Sequence, residues 1–142
     1  MEIQQIQINL WAVLLGGVAS MAIGAFYYAD GVFGKQWRKL SKIDTKRFEK
    51  EMAWNMIQVF VFAIITAYAV AYVASLYQTF YTSSWMAAGL VSALVLFVGV
   101  SATTVMIHNT LNQIPKKLIS ITLGNRFLSI LAMGLIIGWL HP

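Results

Sequence analysis

The sequence predicts an all-α integral membrane protein, a four-helix bundle with both termini on the non-cytoplasmic side. Three observations predict it. The 142 residues are 59% apolar and only 11% charged, with a mean hydropathy of +0.71, whereas a soluble domain is about a quarter charged. The apolar residues gather in four long blocks rather than in short periodic faces. The ten Lys and Arg residues fall at one end of those blocks. A spanning helix needs roughly 20 mostly apolar residues, and only helices or closed barrels satisfy their backbone groups in lipid. Four spans cannot close a barrel, so the whole chain, 1–142, reads as a single membrane domain of helices.

The first span covers about 9–29. The residues before it, MEIQQIQI, carry an acid and no cation, unlike the basic lead of a secretory signal. An uncleaved first span is therefore expected. The segment 30–51 follows, with Lys35, Arg38, Lys39, Lys42, Lys46, Arg47 and Lys50. Phe33, Trp37 and Leu40 share one helical face there, which predicts a short amphipathic helix lying in the interface. Asp44 or Thr45 is placed to cap a helical extension of the second span.

The second span covers about 54–77, the third about 85–109 and the fourth about 121–140. Lys116 and Lys117 precede the fourth span, and Arg126 falls in its first turns. Cytoplasmic loops collect Lys and Arg, so 30–51 and the 110–120 connection are expected inside. Trp11, Trp85 and Trp139 then fall at the outer interface, with Trp37 and Trp54 at the inner one, as aromatic belts require.

Helices in lipid associate through close packing of small residues. Gly16, Ser20 and Gly24 continue a small-residue stripe from Ala12 along span one, Ala63, Ala67, Ala71 and Ser75 form one on span two, and Gly134 and Gly138 form a GxxxG pair. The stripes suit packing within the bundle, or a homo-oligomer contact, for which Gly134 and Gly138 are the most suitable. The central hydroxyls, among them Ser20, Thr66, Ser92, Ser101 and Ser129, are expected to bond to their own helix carbonyls.

The other polar residues collect at the inner helix ends: Tyr28, Asp30, Asn55, Gln58, His108, Asn109, Asn112 and Arg126. Lipid satisfies none of them, so they form either a closed hydrogen-bond network or an open pocket. Asp30 has Arg126 and Lys117 as prospective cation partners. Cysteine is absent, which removes disulfides and thiolate sites. His108 stands without the neighbours a metal site needs. No HExxH, GxSxG or Gly-rich phosphate loop occurs. Neither an enzyme, a cofactor nor a metal is expected. Nucleic acid is not an expected partner either, because the basic run is interleaved with Asp44, Glu49 and Glu51.

Gly24-Ala25-Phe26-Tyr27-Tyr28, then Phe33-Gly34-Lys35 and Trp37, resemble the inner end of span one in the domain of unknown function 1761 family. Met133 to Trp139, MGLIIGW, resembles the close of that family's last span. This chain has Tyr27-Tyr28-Ala29-Asp30 where the family usually has aromatic-Tyr-Ser-Pro. The resemblance implies a small four-span protein of a bacterial cytoplasmic membrane and brings no activity with it. The function expected is that of a structural or accessory subunit, self-associating or bound to a larger membrane complex, with an anionic inner leaflet around its basic segment. The alternative is a small transporter or channel for an apolar or weakly polar solute.

Overall fold

The computed structural model describes residues 6–142. Four helices in it are long and apolar enough to cross a membrane. The first is α1, Leu10–Tyr27. Two short helices follow, α2 (Gly34–Ser41) and α3 (Thr45–Lys50), and then the long α4, Met52–Tyr81. The third span is α5 (Trp85–Leu96), a π-helical segment at Phe97–Ala102, and α6 (Thr103–Leu111). The last is α7, Lys116–Trp139. No strand occurs among the described residues.

The four spans match the expected blocks, with shifted ends. α4 starts two residues earlier and runs four further than the block 54–77, and α7 begins at Lys116 rather than Ile121. Both shifts have local causes. Asn9 caps α1 by accepting from the Trp11 amide at 3.0 Å, and Ser84 caps α5 through the Ala87 amide at 3.2 Å. Pro115 directly precedes α7, where its missing N–H costs nothing. α4 ends only at Thr82, whose φ of 48° turns the chain into the left-handed region. Asp44, rather than Thr45, is the cap, accepting from the Lys46 and Arg47 amides at 3.1 and 3.3 Å, but it opens the separate short helix α3 and not an extension of α4, because the chain turns at Glu51.

α7 packs against α1, α4 and α5, and α4 also meets α1 and α5. α4 and α7 therefore form the central pair, with α1 and α5 on opposite flanks. At the end holding the termini, Asn9 Nδ2 donates to the Leu140 carbonyl at 2.7 Å, and Ser75 Oγ donates to the Gln7 carbonyl at 3.0 Å. α2 packs beneath α7 at the other end, so both basic connections share that end, here termed the basic end.

The core is built from small residues. Ala12, Ala63, Ala67, Ala71, Ala74, Ala88 and Ala93 are buried with Val13, Val70, Ile130, Met133 and Ile137. A Cβ added to Gly16 would touch Ala67 and Met133. Gly134 lies so close to Gly89 that an added Cβ would stand 2.5 Å from its carbonyl oxygen, and one on Gly138 would stand 2.9 Å from the Trp85 oxygen. This corrects one expectation. The Gly134 and Gly138 pair is consumed inside the bundle, joining α7 to α5, and is not available to a second subunit. Dispersion acts only between atoms in contact, and backbones that approach this closely give two antiparallel spans the most contact. Ser20 is half-buried, and the space around Gly24 is open.

The segment between α1 and α4 is anchored by rings. Tyr27 meets Phe33 (centroids 4.7 Å apart), Tyr28 meets Trp37 (5.1 Å), and Trp37 meets Phe48 (6.0 Å). Gly34 lets this turn close: its amide donates to the Ala29 carbonyl at 3.0 Å, and a side chain there would run into that backbone. The expected amphipathic helix is thus α2. Trp37 is half-buried on its packed side, while Lys35, Gln36 and Lys39 are exposed.

A polar-ended cleft between spans two, three and four

The third span changes character halfway. Up to Leu96 it presents Ala88, Gly89, Ser92 and Ala93 to its neighbours, all buried. Beyond that point Phe97 meets Phe127 of α7 edge-on, with centroids 5.1 Å apart. A ring pair replaces a glycine pair, and the two helices can no longer approach closely. The backbone widens into the π-helical segment at the same place, and Thr103 Oγ1 donates back to the Gly99 carbonyl at 2.9 Å. Single π-turns are frequent at functional sites. In α6 only Val105 is buried.

The separation leaves a cleft of about 500 Å³, within the range of small-ligand sites. α4 lines it with Ile65, Thr66 and Ala69; the third span adds Leu96, Val100, Ser101, Thr104, Val105, His108 and Asn109; α7 adds Thr122, Arg126 and Ile130. The lining is mixed. Ile65, Ala69, Leu96, Val100 and Ile130 are apolar, with Thr66, Ser101 and Thr104 among them. His108, Asn109 and Thr122 sit towards the basic end, and Arg126, next to Phe127, is level with Phe97.

Three of the eight expected inner-end residues, His108, Asn109 and Arg126, therefore share one cleft. Tyr28 is close by, with its hydroxyl near the side chains of Thr122, Asn125 and Arg126. The other four lie elsewhere. Asp30 is exposed and pairs with Arg38, not with Arg126 or Lys117. The turn at 28–33 carries Asp30 out over the start of α2, where Arg38 is its nearest cation. Asn112 donates to the His108 carbonyl at 2.8 Å and faces the His108 ring at 3.3 Å, so it closes the end of α6. Asn55 is half-buried and Gln58 exposed on α4, and neither lines the cleft.

Arg126 sits deeper in its helix than the sequence suggests. It is the eleventh residue of α7 because the helix starts at Lys116. Ten rises put it about 15 Å from Lys116, and thirteen put it about 20 Å from Trp139. Insertion scales set the cost of an arginine at a helix centre at roughly 2.5–3.5 kcal/mol. Among the described residues no carboxylate lies within ion-pair distance of it; the pairs present are Arg38–Asp30 and Arg47–Glu51.

The hydroxyls divide. Thr66 donates to the Phe62 carbonyl at 2.9 Å, as expected. The Ser92 and Ser101 Oγ atoms are buried without a partner among the described residues, against that expectation. Ser101 lines the cleft. The Asn109 side chain likewise makes no hydrogen bond to the described residues. These groups do not form a closed network.

Sequence reasoning did not single out Thr104, Val105, Thr122 or the α4 wall as lining residues. The available signal was the run Gly99 to Thr104, GVSATT, whose poor helix formers interrupt an otherwise apolar span.

No curated protein and no solved structure matches this chain. A family model described as "Protein of unknown function (DUF1761)" matches residues 11–138. That range takes in all four spans but for Leu10 and Trp139 at their outer ends, both basic connections and every residue of the cleft, and the chain belongs to the DUF1761 family.

Proposed function

We propose that the protein is a non-enzymatic accessory component of a bacterial inner membrane, and that its working part is the cleft, which holds a membrane amphiphile. The observation that carries this reading is the mixed lining: Ile65, Ala69, Leu96, Val100 and Ile130 share one space of about 500 Å³ with His108, Asn109, Thr122 and Arg126. An amphiphile presents both kinds of group. The lining supplies hydrogen bonds and one cation rather than an acid–base pair, which supports binding over catalysis. The apolar walls give no continuous polar path, which favours a holder over a channel. With the basic loops on the cytoplasmic side, both termini are outside and the polar end of the cleft opens toward the inner leaflet. The cations of α2 and α3 then face anionic headgroups, each adding on the order of 1 kcal/mol of attraction.

Extraction in mild detergent followed by native mass spectrometry tests this. One amphiphile is expected to remain with each chain. Ala69→Trp fills the cleft from its exposed α4 wall and should lower retention at least tenfold with an unchanged helical spectrum. Equal retention by wild type and Ala69→Trp sinks the reading. Cysteines at Ser41 and Thr82 should label from opposite sides of a sealed membrane; labelling of both from one side overturns the assigned orientation.

A further inference from the structure

We propose that the head of the bound amphiphile is anionic and that Arg126 is the group that holds it; this rests on the cleft reading above. The described acids are Asp30, Asp44, Glu49 and Glu51, and all lie in the segment between α1 and α4. Asp30 is engaged by Arg38, Glu51 by Arg47, and Asp44 by the amides it caps. None lines the cleft. Arg126 is thus a permanent cation within a spanning helix, without a counter-charge among the described residues. Ionisable residues in membrane spans mark ligand and ion sites and pair with an opposite charge. Here the described residues supply none, and the ligand does.

The rest of the lining fits the same chemistry. Ser101, Thr104, Asn109 and Thr122 all carry donors, and they line the same cleft as Arg126. The Ser101 hydroxyl has no partner among the described residues. A guanidinium presents two parallel N–H donors to a carboxylate or phosphate. The apolar walls beyond it suit an acyl chain. The ligand class is therefore an acyl lipid with a carboxylate or phosphate head, lying with its chain toward the membrane centre.

The test uses the full-length protein in a neutral detergent with four probes: dioleoylphosphatidylglycerol, dioleoylphosphatidylcholine, oleate and inorganic phosphate. Native mass spectrometry counts retained molecules in pairwise competition. Wild type should retain one anionic lipid per chain, at least tenfold in preference to phosphatidylcholine. Arg126→Gln should lose that preference but still retain lipid, and Arg126→Lys should keep part of it. Lys39→Gln, on the exposed side of α2, should keep it fully. Preference for oleate over phosphatidylglycerol, or the reverse, assigns the head as carboxylate or phosphate. Protection against heating by inorganic phosphate alone, equal to that by lipid, overturns the lipid assignment. Equal retention of anionic and zwitterionic lipid by wild type overturns the anionic head but leaves the cleft reading standing. Loss of preference in Lys39→Gln as large as in Arg126→Gln means surface attraction only and overturns the proposal. If Arg126→Gln fails to fold, the wild-type competition and Arg126→Lys decide. No retained lipid of any kind, in wild type and Ala69→Trp alike, removes the cleft reading as well.

Discussion

At the end holding the termini, Gly89 and Gly134 bring α5 and α7 into backbone contact. Two turns toward the basic end, Phe97 and Phe127 hold the same two helices apart. Small residues leave no room for a ligand and give lipid-buried helices the close contact they associate by. Large rings and a widened backbone give up that contact and open a cleft whose Ser101, Asn109 and Arg126 side chains are paired by no described residue. One half of the bundle is closely packed and the other is open. Natural proteins accept local instability of this kind at sites that bind.

This division can be tested by substitutions in each half. The largest effect belongs to the packed half. Gly134→Ala forces a methyl against the Gly89 oxygen and the Ala93 methyl, 2.5 and 2.7 Å away, and overpacking of this kind costs about 1–3 kcal/mol. Thermal unfolding in detergent should show the loss, and an unchanged midpoint would mean that the two helices do not lock there. Asn9→Ala comes next. It removes the cap of α1 and the bond to Leu140, with an expected loss of about 1 kcal/mol. Gly24→Ala has the opposite sign. Nothing lies within 4 Å of an added methyl, so the gain in helix propensity, about 0.5–1 kcal/mol, should appear undiminished. A loss instead would show that Gly24 packs against a second copy. Asn109→Ala should have the smallest effect, within about 0.5 kcal/mol, because its side chain bonds to none of the described residues. A loss of 1–3 kcal/mol, the cost of stranding a buried partner, would mean that the inner end is a closed network and would erase the contrast.

The packed half was the more legible in the sequence. Small residues at four-residue spacing specify a smooth face, and length and hydropathy specify the spans, so α1, α4 and α7 follow from pattern alone. The pattern did not specify which neighbour each face meets, and Gly134 looked as suitable for a partner subunit as for Gly89. The cleft was half legible. Polarity placed His108, Asn109 and Arg126 at one end, but hydropathy is blind to the π-helical widening after Leu96. Asp30 shows the other limit. Its charge asked for a cation, and the choice of Arg38 over Arg126 depended on how the 28–33 turn folds back under the rings of Tyr27 and Tyr28.

The spans also differ in length. α1 has 18 residues and α4 has 30, about 27 and 45 Å along their axes. A hydrocarbon layer is about 30 Å thick. α4 overshoots it and ends on Tyr77, Phe80 and Tyr81, rings that suit the headgroup region; Tyr77 and Tyr81 stack with centroids 4.7 Å apart. α1 falls short. Mismatch with a layer of that thickness costs a fraction of a kcal/mol per ångström, and the two flanks meet it with helices of different length. Membrane thickness thus enters the energetics of the two flanks unequally.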